Sequence, residues 1–232
     1  MNMKSLFRTI TVCALLGTAI HVRAAITVGV DPGKTWLGFM NVSNLPADGG
    51  AYQFGSSWGT ADLRASFAGS TLTLSPNTIG DPADYWYKGG GAPGHPGNKT
   101  MDANFYVEDS ATLPGQLVTF SGDVLNNSLV SPYTSNAFIK DFASDYSSST
   151  SVTTPVTPGA FSINLQTVAA GHHIQYGFET VGPCVWSTDA NAMGFAQIKA
   201  VAGPPAVPEP SSLALLASGA AGLFAFRRNR KA

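Results

Sequence analysis

The apolar residues between positions 25 and 206 recur in short runs with a period close to two, and turn residues separate these runs. Alternation of this kind is the signature of half-buried β-strands, and no run before the C-terminal tail keeps a helical period. Glycine and proline, 25 and 15 residues in the chain of 232, punctuate the pattern throughout. Strands are predicted at Ile26–Val30, Trp36–Val42, Ala51–Phe54, Leu63–Phe67, Thr71–Ser75, Ala103–Val107, Leu117–Leu125, Ala137–Phe142, Ala160–Leu165, Ile174–Glu179 and Ala192–Val201.

This set of strands predicts an all-β fold, a jelly-roll-like antiparallel β-sandwich. Gly69-Ser70 is placed to form a tight hairpin between two strands. Thr78–Lys99 and Ser144–Pro158 are predicted to be loops, the first rich in glycine and the second in serine and threonine. The strand order and texture of the last third resemble the jelly rolls of carbohydrate-binding modules and galactose-binding-like domains. That resemblance rests on no specific motif, so it implies no site residues.

The first 24 residues have the pattern of a secretory signal peptide. Lys4 and Arg8 lie in a short basic segment, an apolar stretch runs over residues 9–20, and Val22-Arg23-Ala24 precedes the predicted cleavage between Ala24 and Ala25. Such a signal directs a chain to the secretion machinery and is removed from the mature protein. A single uncleaved anchor is the alternative interpretation of the same residues.

The last 26 residues, 207–232, combine a tripeptide, an apolar stretch and a basic end. Pro208-Glu209-Pro210 comes first, and residues 213–226 form the apolar stretch, which predicts a single short transmembrane helix. The basic residues that follow are Arg227, Arg228, Arg230 and Lys231. A plain C-terminal membrane anchor is one interpretation of this segment.

The same three pieces, in this order at the C-terminus, resemble the PEP-CTERM sorting signal of exported bacterial proteins. The resemblance implies processing by an exosortase, an integral-membrane cysteine protease. It also implies an origin in bacteria that make exopolysaccharide and build flocs or biofilms. It covers the tail alone, so it concerns the destination of the protein and leaves the activity of the other residues open.

These segments define the expected organisation and location. Residues 1–24 are the signal peptide, 25–201 the β-sandwich, 202–206 a proline-rich linker, and 207–232 the sorting signal. The basic tail is expected to stay in the cytoplasm because cytoplasmic flanks are enriched in lysine and arginine. The protein is therefore expected to be exported and anchored in the inner membrane with its domain outside. After processing it is expected at the cell surface or in the extracellular space.

The charge of the segment between the two signals argues against nucleic acid as a partner. Residues 25–206 contain six Lys and Arg and thirteen Asp and Glu, so their formal net charge is 6 − 13 = −7. Nucleic-acid-binding domains carry basic patches that neutralise phosphates, and this segment has no basic cluster. A negative surface also repels acidic polymers unless a cation bridges the two.

Few residues have the spacing of a catalytic or metal site. Cys184 is alone once Cys13 leaves with the signal peptide, and a buried apolar role is expected for it. His95, His172 and His173 form no zinc motif, and the two neighbours are expected to point to opposite faces of a strand. No serine-hydrolase elbow is present, and Glu108 and Glu179 have no spacing that pairs them for glycoside hydrolysis. The protein is therefore predicted to be non-catalytic.

No cofactor is expected, and a structural calcium is left open. Loop carboxylates can bind calcium in extracellular sandwiches, although the usual DxDxDG spacing is missing. The carboxylates considered are Asp81, Asp84, Asp102, Glu108 and Asp109. Solvated turn residues are the alternative interpretation.

Aromatic residues are the better indication of a ligand. Tyr85, Trp86 and Tyr87 lie within the glycine-rich loop, either as a hydrophobic plug or as an exposed contact surface. Trp36 and Tyr176 are expected in the core. The predicted function is a surface or matrix protein that is sorted by an exosortase-type system and binds exopolysaccharide through the sandwich. The alternatives are a structural or adhesive matrix protein without a small ligand, and a secreted glycan hydrolase.

Overall fold

The computed structural model describes residues 25–168 and 170–201, and these residues form β-strands joined by loops and two short 3-10 helices. The 3-10 helices span Pro46–Asp48 and Ala190–Met193. The strands are β1 (Ile26–Val28), β2 (Leu37–Asn44), β3 (Tyr52–Ser57), β4 (Ala65–Ala68), β5 (Thr71–Leu74), β6 (Lys99–Asp109), β7 (Leu117–Asn127), β8 (Thr134–Phe142), β9 (Ser149–Pro155), β10 (Gly159–Gln166), β11 (His173–Pro183) and β12 (Ala196–Lys199).

The strands form two six-stranded sheets. Sheet B has the order β3-β2-β6-β11-β8-β9, and every neighbouring pair in it is antiparallel. Sheet A is built around β7, which pairs with β10 along one edge and with β1 and β12 along the other, and β5 and β4 continue beyond β12. The prediction of an all-β fold is confirmed, and two sheets are what a sandwich requires.

The two sheets face each other across one apolar core. The ring of Phe120 on β7 lies 5.4 Å from the rings of both Tyr176 and Phe178 on β11. These side chains are buried because side chains alternate between the two faces of a strand, and each strand turns every second residue inward. Tyr176 belongs to the core and Trp36 packs against it, as expected from the sequence.

Sheet A is mixed, so the prediction of a wholly antiparallel sandwich was wrong for one pair. Ile26–Val28 of β1 runs parallel to Val118–Phe120 of β7. The short β12 pairs with β7 only from Val124 to Asn127. The first half of the same β7 edge would be unpaired without β1, and an unpaired buried strand edge costs free energy.

The prediction of a surface loop over Ser144–Pro158 was wrong for its second half. Residues Ser149–Pro155 form β9, which pairs with β8 at the edge of sheet B. The alternation is nearly invisible in the sequence because only Val152 packs against the core, while most of the serines and threonines face solvent. Threonine is β-branched and favours the extended backbone even where it is exposed.

The strand predicted over Ala192–Val201 is shorter than expected. A 3-10 helix occupies Ala190–Met193, and β12 covers only Ala196–Lys199. Gly194 separates them with a φ of 77°, in the left-handed region. A Cβ at this position would also lie 2.0 Å from the carbonyl oxygen of Ser128, so no other residue fits there.

The predicted glycine-rich loop contains no strand or helix up to residue 98, and β6 begins at Lys99, the last residue of the prediction. Tyr87 attaches the loop to the core. The side chain of Tyr87 is fully buried. Its hydroxyl donates to the carbonyl of Ile79 at 2.6 Å and accepts from the amide of Ile79 at 3.1 Å. The carbonyl oxygen of Val185 lies 3.2 Å from the same hydroxyl. One side chain therefore fixes the middle of the loop to the start of the loop and to the segment after β11.

Replacing Tyr87 with phenylalanine is expected to destabilise the fold by about 1–3 kcal/mol, because buried backbone groups at Ile79 lose their partner. Chemical denaturation of the full chain measures this change in the free energy of unfolding. Tyr85→Phe is the control, because the Tyr85 ring is exposed and belongs to the same loop. Equal stability of the two variants would contradict the anchoring role of the Tyr87 hydroxyl.

Candidate functional site

The outer face of sheet B carries a groove lined by polar and aromatic side chains. Residues of β6 alternate, so Met101, Ala103, Phe105 and Val107 enter the core while the residues between them face outward. The groove encloses about 540 Å³. It is called the outer groove below, and its lining is Leu37, Phe39, Asn41, Tyr52, Ser57, Asn104, Tyr106, Glu108, Lys140, Phe142, Tyr146 and Gln175.

The outer face of sheet B is recessed in its middle because Gly177 has no side chain there. Gly177 pairs with Tyr106 on one side and with Phe138 on the other. A Cβ there would lie 2.2 Å from the carbonyl oxygen of Phe105, so the close approach of β6 requires glycine. Tyr106 is 8% exposed and Gln175 is 7% exposed, which places both at the bottom of the groove.

A network of charged and amide side chains continues from the groove along the same face. Lys140 Nζ donates to Asn104 Oδ1 at 2.7 Å and to Glu179 Oε2 at 3.3 Å. Asp102 accepts from Asn104 at 2.8 Å and from Asn41 at 3.2 Å. Four strands, β2, β6, β8 and β11, contribute to this network, so the sheet register determines its geometry.

The Asp102 carboxylate is in an unfavourable environment for a negative charge. Burial raises its pKa above the ordinary value of 3.8, and the nearby Glu179 carboxylate raises it further. The Lys140 ammonium and the hydrogen bonds from Asn41 and Asn104 oppose this shift without cancelling it. The network therefore contains two carboxylates, Asp102 and Glu179, and one ammonium, Lys140, so one negative charge in the network has no cationic partner among the described residues when both carboxylates are ionised.

Tyr146 and Glu108 line one part of the groove, and His173 packs against Tyr146. The Tyr146 ring stacks on the His173 imidazole, with centroids 4.5 Å apart and planes 15° apart. Its hydroxyl donates to the Glu108 carboxylate, at 3.0 and 3.1 Å from the two oxygens. Burial, and then the hydrogen bond to Glu108, raises the pKa of Tyr146 to about 12, so the hydroxyl stays protonated.

The Tyr146 ring is held in place although it is half exposed. Its backbone φ of 58° is unusual for a residue other than glycine, and such backbone strain is found most often at functional sites. The stacked imidazole covers one face of the ring, and Tyr146 as a residue remains 49% exposed. A flat aromatic surface fixed in this way can stack on an apolar ring face of a ligand without losing side-chain entropy.

The aromatic trio of the glycine-rich loop is divided by the structure. Tyr87 is buried, Trp86 is half-buried, and Tyr85 is exposed. The Tyr85 ring covers the ammonium of the buried Lys99, with Nζ 4.3 Å from the ring centroid. The trio lies outside the lining of the outer groove and does not form one flat contact surface, because its middle and last rings pack inward.

The other residues considered from the sequence have local structural contacts. His95 Nδ1 lies 2.6 Å from the carbonyl oxygen of Gly90, and His172 Nδ1 lies 2.6 Å from Asp141 Oδ1. Cys184 is buried, as expected, and burial raises the pKa of its thiol. His172 contacts Asp141 and His173 contacts Tyr146, so the two neighbours diverge as predicted.

The carboxylates considered for calcium are not gathered into a site. Asp109 caps a turn through the backbone amides of Ala111 and Thr112, at 2.8 and 2.6 Å. Asp81 accepts from the amide of Ala83 at 2.9 Å, whereas Asp84 is exposed in the same loop. Across residues 25–168 and 170–201, no three His, Cys, Asp or Glu side chains come close enough to hold a metal ion.

The sorting residues lie outside the described residues, as do the signal peptide and the apolar stretch 213–226. This applies to Ala24 and to Pro208, Glu209, Pro210, Arg227, Arg228, Arg230 and Lys231. Within the part of the chain that is described, the structure contains no helix with the length and apolar character needed to cross a bilayer.

Comparison with known proteins identifies the C-terminal segment. The family model of the PEP-CTERM protein-sorting motif matches residues 206–231. The chain therefore carries a PEP-CTERM sorting motif, which marks an exported protein that an exosortase-type membrane enzyme processes. No curated protein and no solved structure matches the chain.

The unbalanced charge at Asp102 predicts a pH dependence of stability. A folded-state pKa above 3.8 means that the folded chain binds this proton more tightly than the unfolded chain. The contribution of Asp102 to the free energy of unfolding is therefore fully present below the unfolded pKa and is lost as pH rises through the folded pKa. Asparagine at this position cannot ionise, so the Asp102→Asn variant is expected to lack this fall in the free energy of unfolding as pH rises.

Urea unfolding of wild type and Asp102→Asn from the ordinary pKa of 3.8 upward measures the effect. The stability of wild type relative to the variant should decline as pH rises. Asp123→Asn is the control because Asp123 is exposed on sheet A. If wild type instead became more stable relative to Asp102→Asn as pH rises, the Asp102 carboxylate would be well stabilised in the fold, contrary to this prediction.

Proposed function

We propose that this exosortase-sorted protein is a non-catalytic surface or matrix protein that binds extracellular polysaccharide in the outer groove. The observation that carries the proposal is a groove in which aromatic rings and hydrogen-bonding side chains converge on one open face. Sugars have apolar ring faces and hydroxyl edges, so they need both kinds of contact. Ligand sites in proteins combine apolar walls with a few well-placed polar groups in the same way.

The geometry of the groove favours a chain-like ligand. The face crosses five neighbouring strands, from β3 to β8, and adjacent strands are about 4.8 Å apart. The groove lies on a sheet face that is accessible from outside, so we expect it to admit an internal segment of a polymer. Tyr146 at one end and Tyr52 near the other provide exposed rings, at 49% and 62% exposure.

The sorting motif supports the same interpretation from a separate part of the chain. A protein exported through this system reaches the space where exopolysaccharide is found in such bacteria. An acidic protein without a basic cluster would need a specific surface to be retained there, because simple charge attraction to acidic polymers is absent. The outer groove is the candidate for that surface.

Glycan hydrolysis is the second candidate, because Asp102 and Glu179 both neighbour Asn104, one along β6 and one across on β11, and the pKa of Asp102 is raised. A raised pKa next to a second carboxylate is the arrangement of a general acid and its partner. Lys140 and Asn136 are bonded to Glu179, at 3.3 and 3.1 Å, which favours a structural role for this carboxylate. We therefore propose glycan binding as the first candidate function and glycan hydrolysis as the second.

Binding is tested by affinity electrophoresis of the full chain in gels that contain different polysaccharides, the exopolysaccharide of the native host among them. Tyr146→Ala is expected to weaken retention by at least about tenfold, because aromatic anchors contribute more than 1 kcal/mol. Tyr85→Ala is the matched control, since it removes an exposed tyrosine from the glycine-rich loop. Its retention should equal that of wild type.

Three outcomes decide between the candidate functions. Loss of retention in Tyr85→Ala alone would move the binding surface to the glycine-rich loop. No retention on any polysaccharide would contradict glycan binding and leave the structural matrix role. New reducing ends in the incubated polysaccharide, absent with Glu179→Gln, would establish a hydrolase.

Sorting is tested by the mass of the protein recovered from its native host. The chain is expected to lose the residues after the Pro208-Glu209-Pro210 region when the exosortase is present and to keep them when the enzyme gene is deleted. Intact mass spectrometry of the two strains measures this difference. An intact C-terminus in both strains would show that the tail functions as an ordinary anchor.

A further inference from the structure

The bottom of the outer groove offers free hydrogen-bond acceptors next to a negative charge. Among the described residues that line the groove, Glu108 is the one with a carboxylate side chain. Gln175 Nε2 donates to Glu108 at 2.8 Å, which leaves the amide oxygen of Gln175 without a hydrogen bond to the described residues. A ligand that fits this floor must therefore supply donors.

Tyr106 provides the second indication of a ligand, independent of the charges. Its residue is 8% exposed, and its hydroxyl forms no hydrogen bond within residues 25–168 and 170–201. The hydroxyl is not among the fully buried polar atoms that lack a partner, so it remains accessible from the groove. Burial, and then the neighbouring Glu108, raises the pKa of Tyr106. A hydroxyl that reaches an open groove from a ring fixed by burial is well placed to bond a ligand.

Lys140 does not make the groove attractive to an acidic ligand. Its ammonium donates to Asn104 and Glu179 and lies 4.1 Å above the centre of the Phe138 ring. Glu179 and Asp102 neutralise this charge from the same face of the sheet. Lys140, the one lysine in the described lining of the groove, therefore already has its hydrogen-bond partners within the protein. In the part of the chain that is described, Glu108 has only His173 as a basic neighbour, and with a neutral imidazole its negative charge is not compensated by a cation.

We propose that the outer groove selects polysaccharides whose sugars carry free amino groups, with the ammonium bound among Glu108, Gln175 and Tyr106. This rests on the proposed glycan binding and names the class of sugar. An ammonium has three N–H donors and one positive charge, which match one carboxylate, one amide oxygen and one phenol oxygen. N-acetylation removes the charge, and a uronic acid would bring a second carboxylate next to Glu108.

Calorimetry on the full chain compares three soluble oligomers of equal length: glucosamine, N-acetylglucosamine and galacturonic acid. The titrations are made at mildly acidic pH, where glucosamine is protonated. The glucosamine oligomer is expected to bind about tenfold more tightly than its acetylated counterpart, as one partly buried ion pair allows. The galacturonic acid oligomer is expected to bind most weakly.

Glu108→Gln keeps the shape of the side chain and removes its charge, so the preference for glucosamine should fall to near unity. The acetylated oligomer should keep its affinity. Asp123→Asn is the matched control, because it removes one negative charge from the exposed surface of sheet A and should leave the preference intact. Tyr106→Phe removes only the free hydroxyl and should reduce the preference severalfold, which keeps the test decisive if Glu108→Gln does not fold.

Equal affinity for the amino and acetylated oligomers would overturn the amino-sugar inference while leaving glycan binding intact. An equal loss in Asp123→Asn and Glu108→Gln would also overturn it, because the preference would then be a general attraction between an acidic protein and a cationic oligomer. Binding to none of the three oligomers, nor to the native exopolysaccharide, would overturn both the inference and the proposed function.

Discussion

The antiparallel pairing of β6 with β11 is the constraint on which both the core and the groove depend. The register runs without interruption from Asp109 opposite Ile174 to Thr100 opposite Pro183. It places Phe105 next to Phe178 on the inner face and Asn104 next to Glu179 on the outer face. A slip of one residue would exchange the two faces, burying the charges and exposing the core. The same hydrogen bonds therefore specify where the protein is apolar and where a ligand can bind.

The sequence predicted the fold class better than it predicted the site. Alternation over Thr71–Ser75 and Ala160–Leu165 is clear because one face of each strand is buried, and both appear as strands with nearly the same bounds. β9 was missed because its one core contact, Val152, stands among serines and threonines. The strand predicted at Ala103–Val107 extends over Lys99–Asp109 in the structure. The prediction was too short because Asp102 and Glu108, which face outward, are residue types that are common in loops.

The outer groove could not be predicted because its residues come from distant strands and share no motif. Lys140 and Asn104 are 36 residues apart, and only the sheet register brings them together. One signal was present in the sequence: Asp102, Asn104, Tyr106 and Glu108 occupy every second position of one apolar strand. Polar and aromatic side chains at that spacing share a face. Tyr85 to Tyr87 are a more conspicuous group in the sequence, yet successive residues point in different directions, and these three do not share a surface.

The charges of the outer face are difficult to explain by stability alone. A partly buried pair such as Lys140 and Glu179 contributes little to stability once its desolvation is counted, and apolar residues of similar volume often serve as well. Asp102 is held next to Glu179 at a cost that its raised pKa records. The hydroxyl of Tyr106, without a hydrogen bond to the described residues, is accessible on the same outer face. Because the Asp102 network adjoins the outer groove on the same face of sheet B, above an apolar core, a ligand bound on this face is the simplest physical explanation of why these polar groups are kept.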